Sequence, residues 1–568
     1  MTTLTTMNWV RALSLLLAAG LLPGCAGPAS QGTIPPGRTP PLGRSLTVTN
    51  PATFWNAATV YFLLTDRFNN GDPSNDRALG RGQDAGPLRG FLGGDLAGVR
   101  QKLEEGYFDS LGVDAIWLTP FVEQIHAGVN EGTGKTYGFH GYWTRDWTAV
   151  DPALGTEDDL RAMVDAAHRR GIRVLMDAVL NHPGPVTPID PAWPDDWVRT
   201  SPQCTYKDYV TTVTCTLVRT LPDVRTDRNE PVDLPPALAA KWQSEGRLER
   251  ERSELDAFFR RTGHPRAPRF YIIKWLTDWV REFGFDGYRV DTAKHIEESV
   301  SAKLKWEAEL AFEEWKKAHP GQAVDDLPFF MMGEVYGYGL GDDRSYSFGD
   351  RSVDFYNFGY DGLINFGFKA EAAQSMDRLF TRYAATLTTG PHKGVSVLNY
   401  VSSHDDGSPY DRDRKNPELA GTLLLLAPGG AQIYYGDELA RPLKVEGAEG
   451  DANLRSFMNW GDLERGDQTR QVLEHWRRVG RFRHAHPAVG AGVHQTHQQT
   501  PYIFSRVLGS DRVLVAMDQE PGPKAVPVFG LFPEGSEVVD GYSGLSATVR
   551  EGKVSLTTSL GLVLLSAK

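Results

Sequence analysis

Eight short apolar runs, separated by loops and amphipathic stretches, constrain the fold of this chain more than any other feature. They are TVYFLLT from Thr59, GVDAIWLTPF from Gly112, GIRVLMDAVLN from Gly171, GFDGYRV from Gly284, FFMMGEV from Phe329, GLINFGF from Gly362, VSVLNYVSS from Val395 and AQIYYGDE from Ala431. Most are continuously apolar rather than alternating, which suits strands buried on both faces of a parallel sheet. Helical patterns lie between them. In GTEDDLRAMVDAAHRRG, Thr156 can cap the start and three acidic residues favour the positive first turn. Leu160, Met163, Val164 and Ala167 form one apolar face, and Gly171 ends the helix. YIIKWLTDWVREFG repeats the pattern before the fourth run. Eight strand–helix units predict an α/β fold, a (β/α)8 TIM barrel.

Two stretches depart from a plain barrel. Residues 183–235, after the third strand, are loop-rich and read as an inserted subdomain. From about residue 487, strand-like runs split by Gly, Pro and Asp predict a C-terminal antiparallel β-domain over 487–568. The barrel then occupies 51–182 and 236–486. At the N-terminus, Arg11 precedes ALSLLLAAGLL, a run too short to span a bilayer permanently, so 1–24 reads as an export signal. Leu22-Pro23-Gly24-Cys25 resembles a bacterial lipoprotein cleavage box, which implies lipidation of Cys25, with plain secretion as the alternative. The Pro-, Gly- and Ser-rich stretch that follows, within 25–50, reads as a flexible tether. An exported chain meets an oxidising compartment, so the other two cysteines, Cys204 and Cys215, are expected to pair. A net charge of −12 without a basic stripe argues against nucleic acid as a partner. Any membrane association would come through the lipid, and the chain is expected to be a monomer.

Active sites of TIM barrels lie at the C-terminal ends of the strands. Strand three ends near Asp177, Asn181 and His182, strand four near Arg289, Asp291, Lys294 and His295, strand five at Glu334, and strand seven at His404 and Asp405. A single strand-end carboxylate is as readily a helix cap. Three from three strands, with an arginine beside one of them, suit cleavage of a glycosidic bond. Retaining glycosidases pair a carboxylate nucleophile with a protonated acid about 5 Å away. Arg289 and Asp291 share one side of the strand, so the arginine keeps the aspartate ionised and oriented. Apolar walls and nearby negative charge would hold a proton on Glu334.

The segments DAVLNH, GYRVDTAKH, GEV and VSSHD resemble, in order, the four signature regions of the alpha-amylase family of glycoside hydrolases. LPDV at Leu221 resembles a fifth region, and YYGDE at Tyr434 the end of the eighth strand; the likeness runs from about residue 57 to the C-terminus. EQIHAG, FRHAHPAVGAG and LLLLAPGGAQIYYGDELARP are similar to the bacterial periplasmic alpha-amylases of maltodextrin metabolism. The resemblance implies that Asp291 is the nucleophile, Glu334 the acid/base and Asp405 the transition-state stabiliser. It implies that Arg289 is the supporting arginine and that His182 and His404 hold the sugar at the cleaved bond. Tyr142, with His140 beside it, would stack under that sugar, and Lys294 and His295 would lie on the leaving-group side. The implied activity is retaining, endo-acting hydrolysis of α-1,4-glucosidic bonds in starch and maltodextrins. A transglycosylase, a debranching enzyme and a non-catalytic glucan-binding protein remain alternatives, because the same carboxylates serve the first two. Chloride-dependent members carry Asn where this chain has Ser403, which argues against chloride activation.

One or two structural calcium ions are expected. TDRFNNGDPSND offers Asn70, Asp72, Asn75 and Asp76 as hard oxygen ligands in a Gly/Pro loop. An ordinary Asx-rich turn is the alternative. The stretch resembles a calcium loop of cyclodextrin glycosyltransferases, in which Gly93 and Asp95 would complete the set. The family's calcium between barrel and insertion would take Asn181, Asp223 and the main-chain carbonyl of His295.

Overall fold

The computed structural model describes residues 43–44, 47–341 and 343–568. The export signal, Cys25 and most of the tether lie outside the described residues. All eight apolar runs become barrel strands: β1 (Thr59–Leu63), β2 (Ala115–Leu118), β3 (Arg173–Ala178), β4 (Gly287–Val290), β5 (Phe330–Gly333), β6 (Gly362–Asn365), β7 (Ser396–Tyr400) and β8 (Gly430–Tyr434). They are parallel and close in sequential order, with β8 pairing back onto β1. Every residue of these strands is buried, which is why their patterns are continuous rather than alternating. Register decides which side chains meet inside. Phe62 of β1 is opposite Trp117 of β2, and their rings stack at 3.6 Å. Asp177 of β3 is opposite Arg289 of β4.

The outer helices follow their local signals. The helix α1 (Leu96–Glu104) is capped by Asp95. Thr156 caps α2 (Glu157–His168) in a full capping box with Asp159. Gly284 ends α3 (Pro268–Phe283) at φ +75°, and a Cβ there would meet the Trp315 indole at 2.2 Å. Glycine is needed both for the turn and for the approach of α4 (Glu298–Ala318), which carries Trp315. The ring continues with α5 (Met376–Thr388), α6 (Pro417–Leu425) and α7 (Asp467–Ala485).

The insertion has little regular structure. Val198–Arg199 pairs with Asp223–Val224, a single turn covers Val210–Val213, and Cys204 and Cys215 are disulfide-bonded. Two helices, Pro236–Ser244 and Leu248–Thr262, then lead into α3. The second was legible, since Leu248, Leu255, Phe258 and Phe259 recur at helical spacing and are buried. The C-terminal domain is antiparallel as expected. Its strands are β9 (Val493–Gln499), β10 (Tyr502–Leu508), β11 (Asp511–Ala516), β12 (Gly522–Pro527), β13 (Glu537–Asp540), β14 (Ser546–Thr548), β15 (Lys553–Thr558) and β16 (Val563–Ala567). Six of them form one sheet in the order β9-β10-β11-β16-β13-β14, and β12 pairs with β15 over a separate core that includes Leu514, Val526, Val554 and Leu565. β9 is not among the apolar runs of the sequence, because VHQTHQQ has no apolar alternation.

At the face opposite the strand ends, Arg483 of α7 is fully buried. It donates to the carbonyls of Leu425 at 3.0 Å, Ala427 at 2.9 Å and Asn56 at 2.9 Å. One guanidinium thus ties the end of α6 and the approaches to β8 and β1. Replacing it strands several buried carbonyls, each costing about 1–3 kcal/mol. Arg483→Met is therefore expected to lower unfolding free energy by about 3–5 kcal/mol in denaturant titrations, while leaving the cleft at the other end of the barrel able to bind ligand.

Candidate active site

The site grows from β4. Asp291 follows the last residue of that strand, and its amide donates to the Ala178 carbonyl at 3.0 Å, so it leaves the barrel in register with β3. Arg289 points the same way. Its Nη1 lies 2.9 Å from Asp177 Oδ1 and 2.8 Å from Asp291 Oδ1, and its Nη2 lies 2.9 Å from Glu334 Oε2. The guanidinium is 1% exposed and rests over the rings of Trp117 and Tyr142. One fixed cation therefore holds carboxylates from three neighbouring strands. Asp405, from the segment after β7, stands at the open rim with 36% of its side chain exposed, 3.4 Å from His404 Nε2.

Three negative groups on one guanidinium leave negative charge in excess. Burial, reinforced by the Asp291 and Asp405 charges and opposed by Arg289, pushes Glu334 up to about 8. Burial, opposed by Arg289 and reinforced by Asp291, raises Asp177 to about 6. Asp177 also accepts hydrogen bonds from the Tyr142 hydroxyl at 2.8 Å and the Trp117 indole at 3.0 Å. Asp177 thus belongs to the site as the group that fixes Arg289 and Tyr142 from below; its place opposite Arg289 depends on register.

The histidines are neutral because burial lowers all of them. His140 Nδ1 accepts from the Tyr142 amide at 3.1 Å, which puts its proton on Nε2. His182 Nε2 donates to the Tyr142 carbonyl at 3.1 Å, which leaves Nδ1 a buried acceptor without a protein partner. His404 stacks on the Tyr142 ring at 5.4 Å. On the far side, Thr292 takes φ +48°, and its amide donates to Glu334 Oε2 at 2.8 Å. This left-handed turn, unusual for a β-branched residue, redirects the chain so that Lys294 and His295 enter the cleft. The Lys294 ammonium donates to the Tyr336 carbonyl at 2.9 Å and lies 5.3–5.8 Å from the rings of Tyr206, Tyr336 and Tyr346. His295 Nδ1 donates to the Thr212 carbonyl of the insertion at 2.8 Å.

All ten catalytic and substrate-binding residues expected from the sequence come together, and all but Arg289 line one cleft of about 620 Å³. Residues that the sequence reading missed also line it: Glu131, Tyr206, Leu217, Tyr336, Asp451 and Arg455. Tyr336, two residues after Glu334, was the one within reach of a sequence signal. Arg455 donates to the His404 carbonyl at 2.9 Å from a segment with no strand-end pattern.

The calcium residues also cluster. The Gly71, Asp72 and Gly98 amides donate to Asp95 at 3.0, 2.7 and 2.6 Å, so Asp95 acts as a cap and loop anchor. Asn70 donates to Asp76 at 2.8 Å, while the Oδ1 atoms of Asn70 and Asn75 are buried without protein partners. A Cβ on Gly93 would meet Asp76 at 2.6 Å. Asp72 sits at the exposed edge, where it accepts from the Ser74 amide. Between barrel and insertion, the side chains of Asn181 and Asp223 are buried without hydrogen bonds, and Arg199 lies 3.0 Å from Asp223. Burial drives Asp223 up to about 9 against Arg199, and Glu297 and Asp227 add to the rise. Both places offer buried oxygens without hydrogen-bond partners, of the hard type that suits calcium, and at the second Arg199 is the cation already paired with Asp223. Among the described residues, no group of three or more His, Cys, Asp or Glu is placed to hold a metal.

The raised Glu334 pKa has a measurable consequence. A carboxyl raised on folding stabilises the fold fully below its unfolded value, and that stabilisation is lost as pH rises through the folded value. For Glu334 the window runs from the ordinary 4.5 to about 8. Glu334→Gln should match the wild type in melting experiments near pH 4.5 and become the more stable protein, on the order of a few kcal/mol, above pH 8.

The sequence pattern of the family described as "Alpha amylase, catalytic domain" matches residues 62–487. The periplasmic alpha-amylase of Escherichia coli (strain K12) is 37% identical over 532 residues, covering 84% of this chain and 74% of that protein. An alpha-amylase of Streptomyces lividans is 27% identical, and the match covers 95% of this chain but 63% of that protein. The solved structure of an Anoxybacillus alpha-amylase superposes with a TM-score of 0.63 at 22% identity, covering 91% of this chain and 99% of that one, which supports the fold. The chain belongs to the alpha-amylase family and is a glycoside hydrolase.

Proposed function

We propose that this protein is an exported, endo-acting alpha-amylase that hydrolyses α-1,4-glucosidic bonds in starch and maltodextrins with retention of configuration. The observation that carries the reading is the single guanidinium of Arg289 holding Asp291 on one nitrogen and Glu334 on the other. That arrangement suits the close pair of a retaining enzyme, about 5 Å, better than the wider pair of an inverting one, about 6.5–9.5 Å. Asp291 attacks the anomeric carbon while Glu334, whose raised pKa favours the acid form, gives its proton to the departing glycosidic oxygen. The Asp291 ester then breaks when water attacks the same carbon and Glu334 takes the water's proton. Asp405, His182 and His404 hold sugar hydroxyls, and the unpaired Nδ1 of His182 suits a hydroxyl donor. Tyr142 offers a flat face beneath the ring, and Lys294 and His295 flank the leaving group.

Export rests on the leader and on the periplasmic name of the Escherichia coli relative. Lipidation at Cys25 would tether the enzyme to a membrane. Calcium, when bound by Asn70, Asn75 and Asp76 or by Asn181 and Asp223, would neutralise buried oxygens and pin loops beside the cleft; neither place calls for a reacting water.

On a defined maltooligosaccharide, the wild type should release short products that NMR first detects as α-anomers. Asp291→Asn should lose more than about 10³-fold in kcat; β-anomers or cyclic products would overturn the assignment of retaining hydrolysis. Chelation should remove bound calcium, measured by elemental analysis, and lower the melting temperature. The double variant Asn70→Ala/Asn75→Ala should carry one ion fewer than the wild type.

A further inference from the structure

We propose that the junction between α5 and β9 is a second α-glucan-binding site, separate from the catalytic cleft, that docks the polymeric substrate. This inference rests on the amylase reading and extends it to a surface that shares no lining residue with the cleft. A hollow of about 450 Å³ lies there, lined by Asp377 and Thr381 of α5 and by His494, Thr496, His497, Gln498 and Gln499 of β9. A second hollow of about 640 Å³ shares Asp377 and Thr381, so the depression is elongated, as a chain of sugars requires.

Three features argue for a built surface. The pairing of β9 with β10 slips between Thr496 and Gln498, so His497 is a bulge residue turned out of the ladder. The His497 ring lies flat on Phe529, 4.3 Å between centroids and 4° between planes. Phe529 is 45% exposed and has φ +51°, a left-handed conformation that is costly for a bulky aromatic. A bulge and a strained residue therefore hold a flat ring pair in which His497 lines the groove and the half-exposed Phe529 extends the aromatic surface beside it.

The polar lining suits a neutral polyhydroxyl ligand. Both oxygens of Asp377 are engaged, by the Thr496 hydroxyl at 2.6 Å and Gln499 Nε2 at 3.2 Å, so its charge is used to join helix to strand. Arg382 is turned toward Glu371 and the Leu340 carbonyl. Burial lowers His494 to about 3 and lowers His497, so both imidazoles are neutral. Amides, neutral imidazoles and hydroxyls next to a flat apolar face are the chemistry that a sugar with polar edges and an apolar ring face needs.

The test uses full-length protein. Affinity electrophoresis through amylopectin gels would compare Asp291→Asn with the same protein carrying Phe529→Ala or, separately, Gln498→Ala. The expected result is a roughly tenfold weaker apparent affinity for amylopectin, equivalent to about 1.4 kcal/mol, with melting temperatures unchanged. In the active background, kcat/KM on maltotetraose should stay within about twofold of the wild type. Retardation of both variants equal to that of the parent would overturn the docking site. Failure of the active protein to cleave maltotetraose would instead overturn the amylase reading, and groove-dependent retardation would still support the second site.

Discussion

The site is organised by one buried cation. Arg289 is enclosed by barrel side chains and meets Asp177, Asp291 and Glu334, from three adjacent strands. A buried guanidinium is tolerable only when paired, and buried carboxylates likewise. Here neither side balances, since carboxylates outnumber the cation. Burial, with the excess negative charge adding to it, favours the protonated form, so Asp177 and Glu334 are both raised above the usual carboxylate range. The general acid proposed for Glu334 would thus arise from arrangement rather than from any special property of glutamate. The same cation fixes the Asp291 carboxylate, so the proposed nucleophile and acid are placed by one group and share its rigidity.

The cleft wall opposite the barrel depends on a different link. The left-handed Thr292 turn carries the chain from Asp291 to Lys294 and His295, and His295 reaches into the insertion through the Thr212 carbonyl. Thr212 lies inside the loop closed by Cys204 and Cys215. The loop also supplies Tyr206, whose ring borders Lys294 and His295. The cleft wall that carries Lys294 and His295 is therefore assembled across the barrel–insertion boundary, where side-chain oxygens of Asn181 and Asp223 lack hydrogen-bond partners. A cation there would stiffen the wall without touching the chemistry.

Much of the architecture was legible as pattern. The apolar runs were all strands because burial on two faces leaves a continuous signature, and Thr156 and Gly284 marked helix ends through capping chemistry that acts over a few residues. Legibility failed where no local pattern exists. VHQTHQQ forms β9 because β10 offers it a pairing edge, and its polar residues find partners on α5. Leu248–Thr262 is a different case: its helical apolar pattern is present in the sequence, but the stretch was assigned to the barrel only as a block.

By itself, the sequence determined the strand set, the domain order and the carboxylates Asp291, Glu334 and Asp405, since each is written in contiguous residues. Only the tertiary structure decided that Asp177 supports Arg289, that Tyr206, Tyr336, Asp451 and Arg455 border the cleft, and that Phe529 lies on His497. The reason is physical. Burial and capping act along a few consecutive residues, whereas charge balance, cleft walls and ring stacks depend on barrel closure and register, which bring together side chains that are distant in the chain.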